Sequence, residues 1–150
     1  MNDDTNRFYR RYLPHWRESD AAYFLTWRLA HGQRDLSSRE RTIVADALRH
    51  FDGLRYDLDA FVIMNDHVHV VMRPQSGHTL ESLVQSWKSF TAHTIQRARG
   101  AHGAIWQDEY FDRIIRSEQE HSEKLEYIRN NPFKRWPEIS TYKWLWPEDE

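Results

Sequence analysis

The sequence predicts an α+β fold: a single antiparallel sheet in βαββαβ order, helices on one face, and a final helix on the other. Three observations carry this. Residues 38–51 and 79–99 repeat apolar side chains at helical spacing. Short apolar runs rich in β-branched and aromatic residues flank them at 23–30, 54–64, 67–73 and 111–116. A last helical segment with a strong start signal follows Ser117.

The elements follow in order. The first strand is 23–30, Tyr23 to Ala30. The first helix, 38–51, takes Ser37 or Ser38 as its cap and carries Ile43, Val44, Ala47 and Leu48 as an apolar stripe; Gly53 ends it. Residues 54–64 and 67–73 form a hairpin around the polar break Asn65-Asp66. Helix 79–99 turns Leu80, Leu83, Val84, Trp87 and Thr91 to the core, and 100–103 is a loop. Strand 111–116 precedes the last helix, 118–131. Ser117 caps that helix, Glu120 completes a Ser-x-x-Glu box, and Pro132 stops it. This is a ferredoxin-like sheet with its last helix left for the uncovered face.

The most informative residues are His67-Val68-His69. On a strand, alternate side chains share a face, so the two imidazoles lie about 7 Å apart along it, with Val68 and Val70 opposite. Such a pair either holds one divalent ion or is two unrelated, half-buried histidines. If Val68 and Val70 face the core, the histidines face the last helix. Tyr127 and Asn131 lie four apart on that helix and therefore share a side. A phenolate is a competent nucleophile toward phosphorus, and an amide oxygen is a competent third metal ligand. The plainer alternative is a core-packed tyrosine followed by an Asn helix stop.

Composition bounds the class. At 150 residues, with 39% hydrophobic and 14% aromatic content, residues 1–150 are expected to form one globular domain. The absence of cysteine excludes disulfides and thiolate metal sites. No signal peptide and no apolar stretch of about 20 residues is evident, so the expected location is cytoplasmic, with the nucleoid. The net charge of −2 argues against bulk non-specific binding to nucleic acid. An N-terminal arm, 1–20, nonetheless interleaves Arg7, Arg10, Arg11 and Arg17 with Phe8, Tyr9, Tyr12 and Trp16. That mixture suits single strands, or else an arm packed back on the domain. The tail, 135–150, carries Trp136, Trp144 and Trp146 and packs either on the domain or across the site.

Five segments in order resemble one family. They are Tyr12-Leu13-Pro14-His15-Trp16 with Tyr23 to Leu29, then Val62 to His69, then Trp106 to Arg116, and finally Tyr127-Ile128-Arg129-Asn130-Asn131-Pro132-Phe133-Lys134. Together they look like the REP-associated tyrosine transposases, bacterial relatives of the single-strand-specific insertion-sequence transposases within the His-hydrophobic-His nucleases. Asn65-Asp66 stands where the family usually has Pro-Asn, and Phe133, Arg135 and Trp136 depart from its usual ending.

The resemblance implies a metal-dependent single-stranded DNA endonuclease and transesterase. His67, His69 and Asn131 would hold Mg²⁺ or Mn²⁺, and Tyr127 would attack phosphorus to leave a 5′-phosphotyrosine and a free 3′-OH. The implied partner is single-stranded or hairpin DNA of the repeated extragenic palindromic type, bound by a monomer or homodimer. Candidate DNA contacts are Lys88, Arg113, Arg116, Lys134 and Arg135, with Trp106 as a stacking platform; each basic residue is equally an ordinary surface charge. Two rivals are a non-catalytic single-strand-binding module and a metal phosphoesterase using activated water, with Tyr127 incidental.

Overall fold

The hairpin that carries the histidines occupies the middle of the sheet. In the computed structural model, which describes residues 21–148, the elements are β1 (Ala22–Arg28), α1 (Ser38–His50), β2 (Tyr56–Ile63), β3 (His67–Pro74), α2 (Leu80–Arg99), β4 (Phe111–Ile115), α3 (Glu118–Arg135) and β5 (Leu145–Trp146). The strand order is β4-β1-β3-β2-β5, and every neighbouring pair is antiparallel. The basic-aromatic arm, 1–20, and the first family segment within it lie outside the described residues.

Alternation along the strands separates two apolar layers. Leu25, Trp27, Phe61, Ile63, Val68, Val70 and Met72 meet Val44 and Leu48 of α1 and Leu83, Val84 and Trp87 of α2. Phe24, Ala60, Val62, Val71 and Ile115 meet Ile128 of α3, with Leu125 and Phe133 beside it. The fold class is therefore as predicted, with the tyrosine-bearing helix on its own face.

The helix ends show why these segments are helical. Ser37 and Glu40 form a reciprocal capping box on α1, and Thr79 caps α2 by accepting the Ser82 N–H. Gly100 ends α2 in the left-handed region, at φ 61°, which favours glycine. Glu40 is buried and bonded to Arg99 from the last turn of α2; that contact first, against the cost of burial, lowers its pKa to about 2.

Two sequence expectations need correction, and one open alternative is decided. Helix α3 does not stop at Pro132 but continues to Arg135. Proline removes its own N–H and crowds the Ile128 carbonyl, yet the Trp136 N–H closes on the Pro132 carbonyl at 2.8 Å, and Pro132 is itself buried. Burial against the sheet outweighs a local preference of about 3 kcal/mol. The Ser117 cap forms, at 3.0 Å from the Glu120 N–H, but the Glu120 carboxylate accepts from Arg116 N–H and Arg113 instead of completing the box. The Trp-rich tail adds β5 to the free edge of β2, pairing Phe61 with Trp146 and Val62 with Leu145. Trp144 donates to Thr42 and lies under Arg41, and the Tyr142 hydroxyl donates to the Ile63 carbonyl. Covering an open strand edge explains the tail's composition.

A bulge in β2 brings a second device to the α3 face. The register with β3 shifts between Leu58 and Ala60, at Asp59. The Asp59 carboxylate takes Arg73 at 2.7 Å and His121 Nε2 at 2.8 Å. All three side chains are buried, so the first turn of α3 is pinned to the sheet by a hydrogen bond to a buried ion pair, which is costly to break. Among the described residues no helix is long and apolar enough to cross a membrane.

Candidate active site

The register of three strands builds the site. β1 pairs with β3 so that Thr26 lies opposite His69 and Arg28 opposite His67. β4 then places Phe111 opposite Thr26 and Arg113 opposite Phe24. Directly opposed residues share a face, so Phe24, Thr26, Arg28, His67, His69, Phe111 and Arg113 all face the side that carries α3.

Each histidine has one ring nitrogen engaged. His69 Nδ1 is 2.7 Å from the Thr26 hydroxyl, and His67 Nδ1 is 2.7 Å from the Asp66 carboxylate. The ring centroids are 4.7 Å apart. When Thr26 and Asp66 accept from Nδ1–H, each Nε2 keeps the lone pair that a metal ligand needs. His69 is buried; desolvation first, then the charges of His67, Arg28 and Lys124, lowers its pKa to about 3. The imidazole is therefore neutral at ordinary pH, the form that binds metal.

Two imidazole nitrogens are borderline donors, so an ion held here would take its remaining ligands from oxygen. Among the described residues no cluster of three His, Cys, Asp or Glu side chains is placed to hold an ion. The histidine pair thus needs a third donor of another kind, an amide or water oxygen. Asn131 is half-buried on α3, one turn beyond Tyr127. Two imidazoles and an amide leave positions open for phosphate oxygens and water.

Tyr127 lies over this pair. Its ring centroid is 5.3 Å from that of His69 and 5.9 Å from that of Phe24, while Phe24 stacks on His69 at 5.4 Å. The side chain is 46% exposed, so a tyrosine anchored by one ring edge still reaches solvent. Lys124, one turn earlier, sets its ammonium 5.0 Å from the Phe24 ring. Two of the other described tyrosines differ: Tyr56 and Tyr142 bond backbone carbonyls, and burial raises their pKa values, that of Tyr142 to about 12.

The expected DNA contacts divide. Trp106 is no stacking platform: it is buried, T-shaped to Trp27, with its Nε1–H donated to Thr91 at 2.9 Å. Its short bridge to Leu29 draws the ring into the α2-side core. Lys88 is also internal, holding the Gln107 and Asp108 carbonyls at 2.7 and 2.9 Å, and so fastens the loop before β4. Neither expected contact stands, because helical and strand periodicity do not say which exposed-looking positions a crossing loop covers. Arg113 and Arg116 are exposed beside the start of α3, Arg113 paired to Glu120. Lys134 and Arg135 are exposed at its end, remote in sequence from Tyr127 by two turns. Sequence reasoning missed Phe24, Thr26, Arg28, Asp66, Phe111 and Lys124. For the strand residues the signal is period-two alternation, which names a face without naming a cross-strand partner; Lys124 is signalled only by its helical spacing from Tyr127, and Asp66 only by its place beside His67.

Comparison with known proteins places this geometry in a class. The sequence profile described as "Transposase IS200 like" matches residues 28–131, which contain both histidines, Tyr127 and Asn131. The chain belongs to the IS200-like transposase family. Its fold is similar to that of a REP-associated tyrosine transposase solved bound to a REP hairpin, with a TM-score of 0.68 at 19% identity over 89% of this chain and 80% of that one. A candidate transposase of Deinococcus radiodurans matches with a TM-score of 0.54 at 22% identity, covering 73% of this chain and 88% of that one. An uncharacterised protein of Haemophilus influenzae is 27% identical over 115 residues, 62% of this chain. The chain spans 57% of that relative's length.

Proposed function

We propose that this transposase is a single-stranded DNA transesterase that cuts and rejoins at hairpin-forming sequences, with Tyr127 as nucleophile and His67, His69 and Asn131 as metal ligands. The observation that carries this reading is the packing of a half-exposed tyrosine ring 5.3 Å from a buried histidine that is itself paired with a second histidine. A pure binding module has no use for that combination.

A divalent cation such as Mg²⁺ or Mn²⁺ held there would neutralise charge on the scissile phosphate. The chain's own groups do the rest. Thr26 and Asp66 hold the imidazoles in one tautomer. Phe24 holds the Tyr127 ring at the edge of the pair. The Tyr127 oxygen loses its proton and bonds to phosphorus; the bond to the 3′ oxygen breaks, and that oxygen gains a proton. The product is a 5′-phosphotyrosine and a free 3′-OH, and reversal of the same step rejoins the strand without an external energy source. The REP hairpin seen with the structural relative makes a stem-loop with a single-stranded flank the substrate to test.

Incubation of the full chain with a 3′-labelled stem-loop and Mn²⁺, resolved on a denaturing gel, is expected to give a protease-sensitive protein–DNA adduct carrying the labelled DNA on the 3′ side of the cut. Free cleavage products without adduct favour activated water, and no cleavage with retained binding favours a binding module.

Binding should show weak salt dependence. With net charge −2, long-range attraction to duplex is small. A flanked hairpin is expected to bind more tightly than a blunt duplex of the same sequence, with a salt slope equivalent to a few phosphate contacts. Affinity titrations of both DNAs at several salt concentrations decide this; equal binding, or a steep slope, contradicts it.

A further inference from the structure

A cleft of about 320 Å³ opens beside the histidine pair, where β1 runs past the first rung of its pairing with β4. Its lining includes Thr26, Arg28, Gln107, Glu109, Tyr110 and Phe111. Two of these connect it to the proposed site. Thr26 bonds His69, and Arg28 lies opposite His67 in the β1–β3 register.

Phe111 stands out on the cleft wall. It is 56% exposed, at the first position of an edge strand. Its ring meets the edge of Phe24 at 6.4 Å, and Phe24 also supports Tyr127 and stacks on His69. An exposed phenylalanine is unremarkable alone, but here it shares a support with the nucleophile and borders a polar cleft. Gln107 is oriented there by donating its amide to the Leu29 carbonyl at 3.1 Å, and the Arg28 guanidinium supplies positive charge.

We propose that this cleft seats one unpaired nucleobase of the DNA, next to the scissile phosphate, with its face on Phe111, its polar edge toward Gln107 and Glu109, and a neighbouring phosphate near Arg28. The inference rests on the transesterase reading above and adds the part of the substrate it engages. The chemistry selects a single strand, because a base within a duplex has both faces stacked and presents none to a side chain. The volume is at the small end for ligand sites and suits one nucleotide better than a base pair.

The test uses stem-loops with a single-stranded flank in which one flank nucleotide at a time is abasic, and measures affinity and adduct formation together. One abasic position is expected to weaken binding to the unsubstituted chain about 5- to 150-fold, the range for a single base–aromatic stack. Phe111→Ala should weaken binding to the intact flanked DNA by a similar factor and be indifferent to the abasic change at that position. Phe111→Trp should restore the sensitivity. A stem-loop without a flank should bind both chains equally. Because Phe111 is mostly exposed, the melting temperature of Phe111→Ala is expected to stay within a few degrees of the parent. Independent, multiplying penalties from Phe111→Ala and the abasic site overturn the base seat, even if the adduct forms. Coupled penalties without any adduct overturn the transesterase reading instead.

Discussion

Replacement of Tyr127 by Phe is expected to abolish the covalent adduct and strand cleavage while leaving affinity for flanked hairpin DNA within about threefold. The separation follows from what the ring does apart from its oxygen. It packs edge-on against His69 at 5.3 Å and Phe24 at 5.9 Å, and both contacts belong to the ring, so Phe keeps them. The hydroxyl alone is lost, and with it the atom that would bond to phosphorus. Labelled stem-loop, Mn²⁺ and a denaturing gel read the chemistry, and a binding titration reads the affinity. A Phe variant that cuts at a comparable rate would show that water, rather than tyrosine, attacks.

Loss of either histidine is expected to remove metal-dependent cleavage, but the two variants should differ in stability. His67 is partly exposed at the start of β3, so His67→Ala should fold normally and lose Mn²⁺ affinity by more than about 10-fold in titration calorimetry. His69 is buried beneath Tyr127 and Phe24. His69→Ala leaves a void and the Thr26 hydroxyl without its partner, at a cost on the order of 2–4 kcal/mol in chemical denaturation. Both imidazoles face away from the core beneath α1 and α2, but only His67 lies clear of close side-chain packing, so stability is expected to separate the two variants. His69→Leu, which fills much of the space without offering a metal donor, separates loss of metal from loss of packing. Unchanged Mn²⁺ affinity in both His67→Ala and His69→Leu would remove the metal assignment.

Much of the architecture was legible because it depends on local pattern. Val68 and Val70 alternate with His67 and His69, so one apolar layer and one histidine face follow from the period of a strand. The stripe of Leu83, Val84 and Trp87 on α2 and the caps at Ser37 and Ser117 are equally local. Even the placement of Tyr127 over the histidines follows once two helices occupy the opposite face, since only one face is left for the third.

What resisted reading is non-local. Pro132 looks like a stop, and only contact with the sheet shows why α3 runs on. Trp106 looks like a surface aromatic until its bridge to Leu29 and its bond to Thr91 bury it. Lys88 looks like a DNA contact until the loop before β4 returns two carbonyls to it. In each case a partner from far along the chain decides between exposure and burial.

The sequence by itself determined the first four strands, the three helices apart from the end of the last, the two faces of the sheet and the pair of histidines that share one of them, because those features repeat at the fixed periods of strand and helix. Only the tertiary structure decided that Thr26 holds His69, that Phe24 supports both Tyr127 and Phe111, and that a cleft opens at the end of β4. Those depend on register between strands, and register is set by the packing of whole layers: a shift of one residue would turn every side chain of a strand to the opposite face.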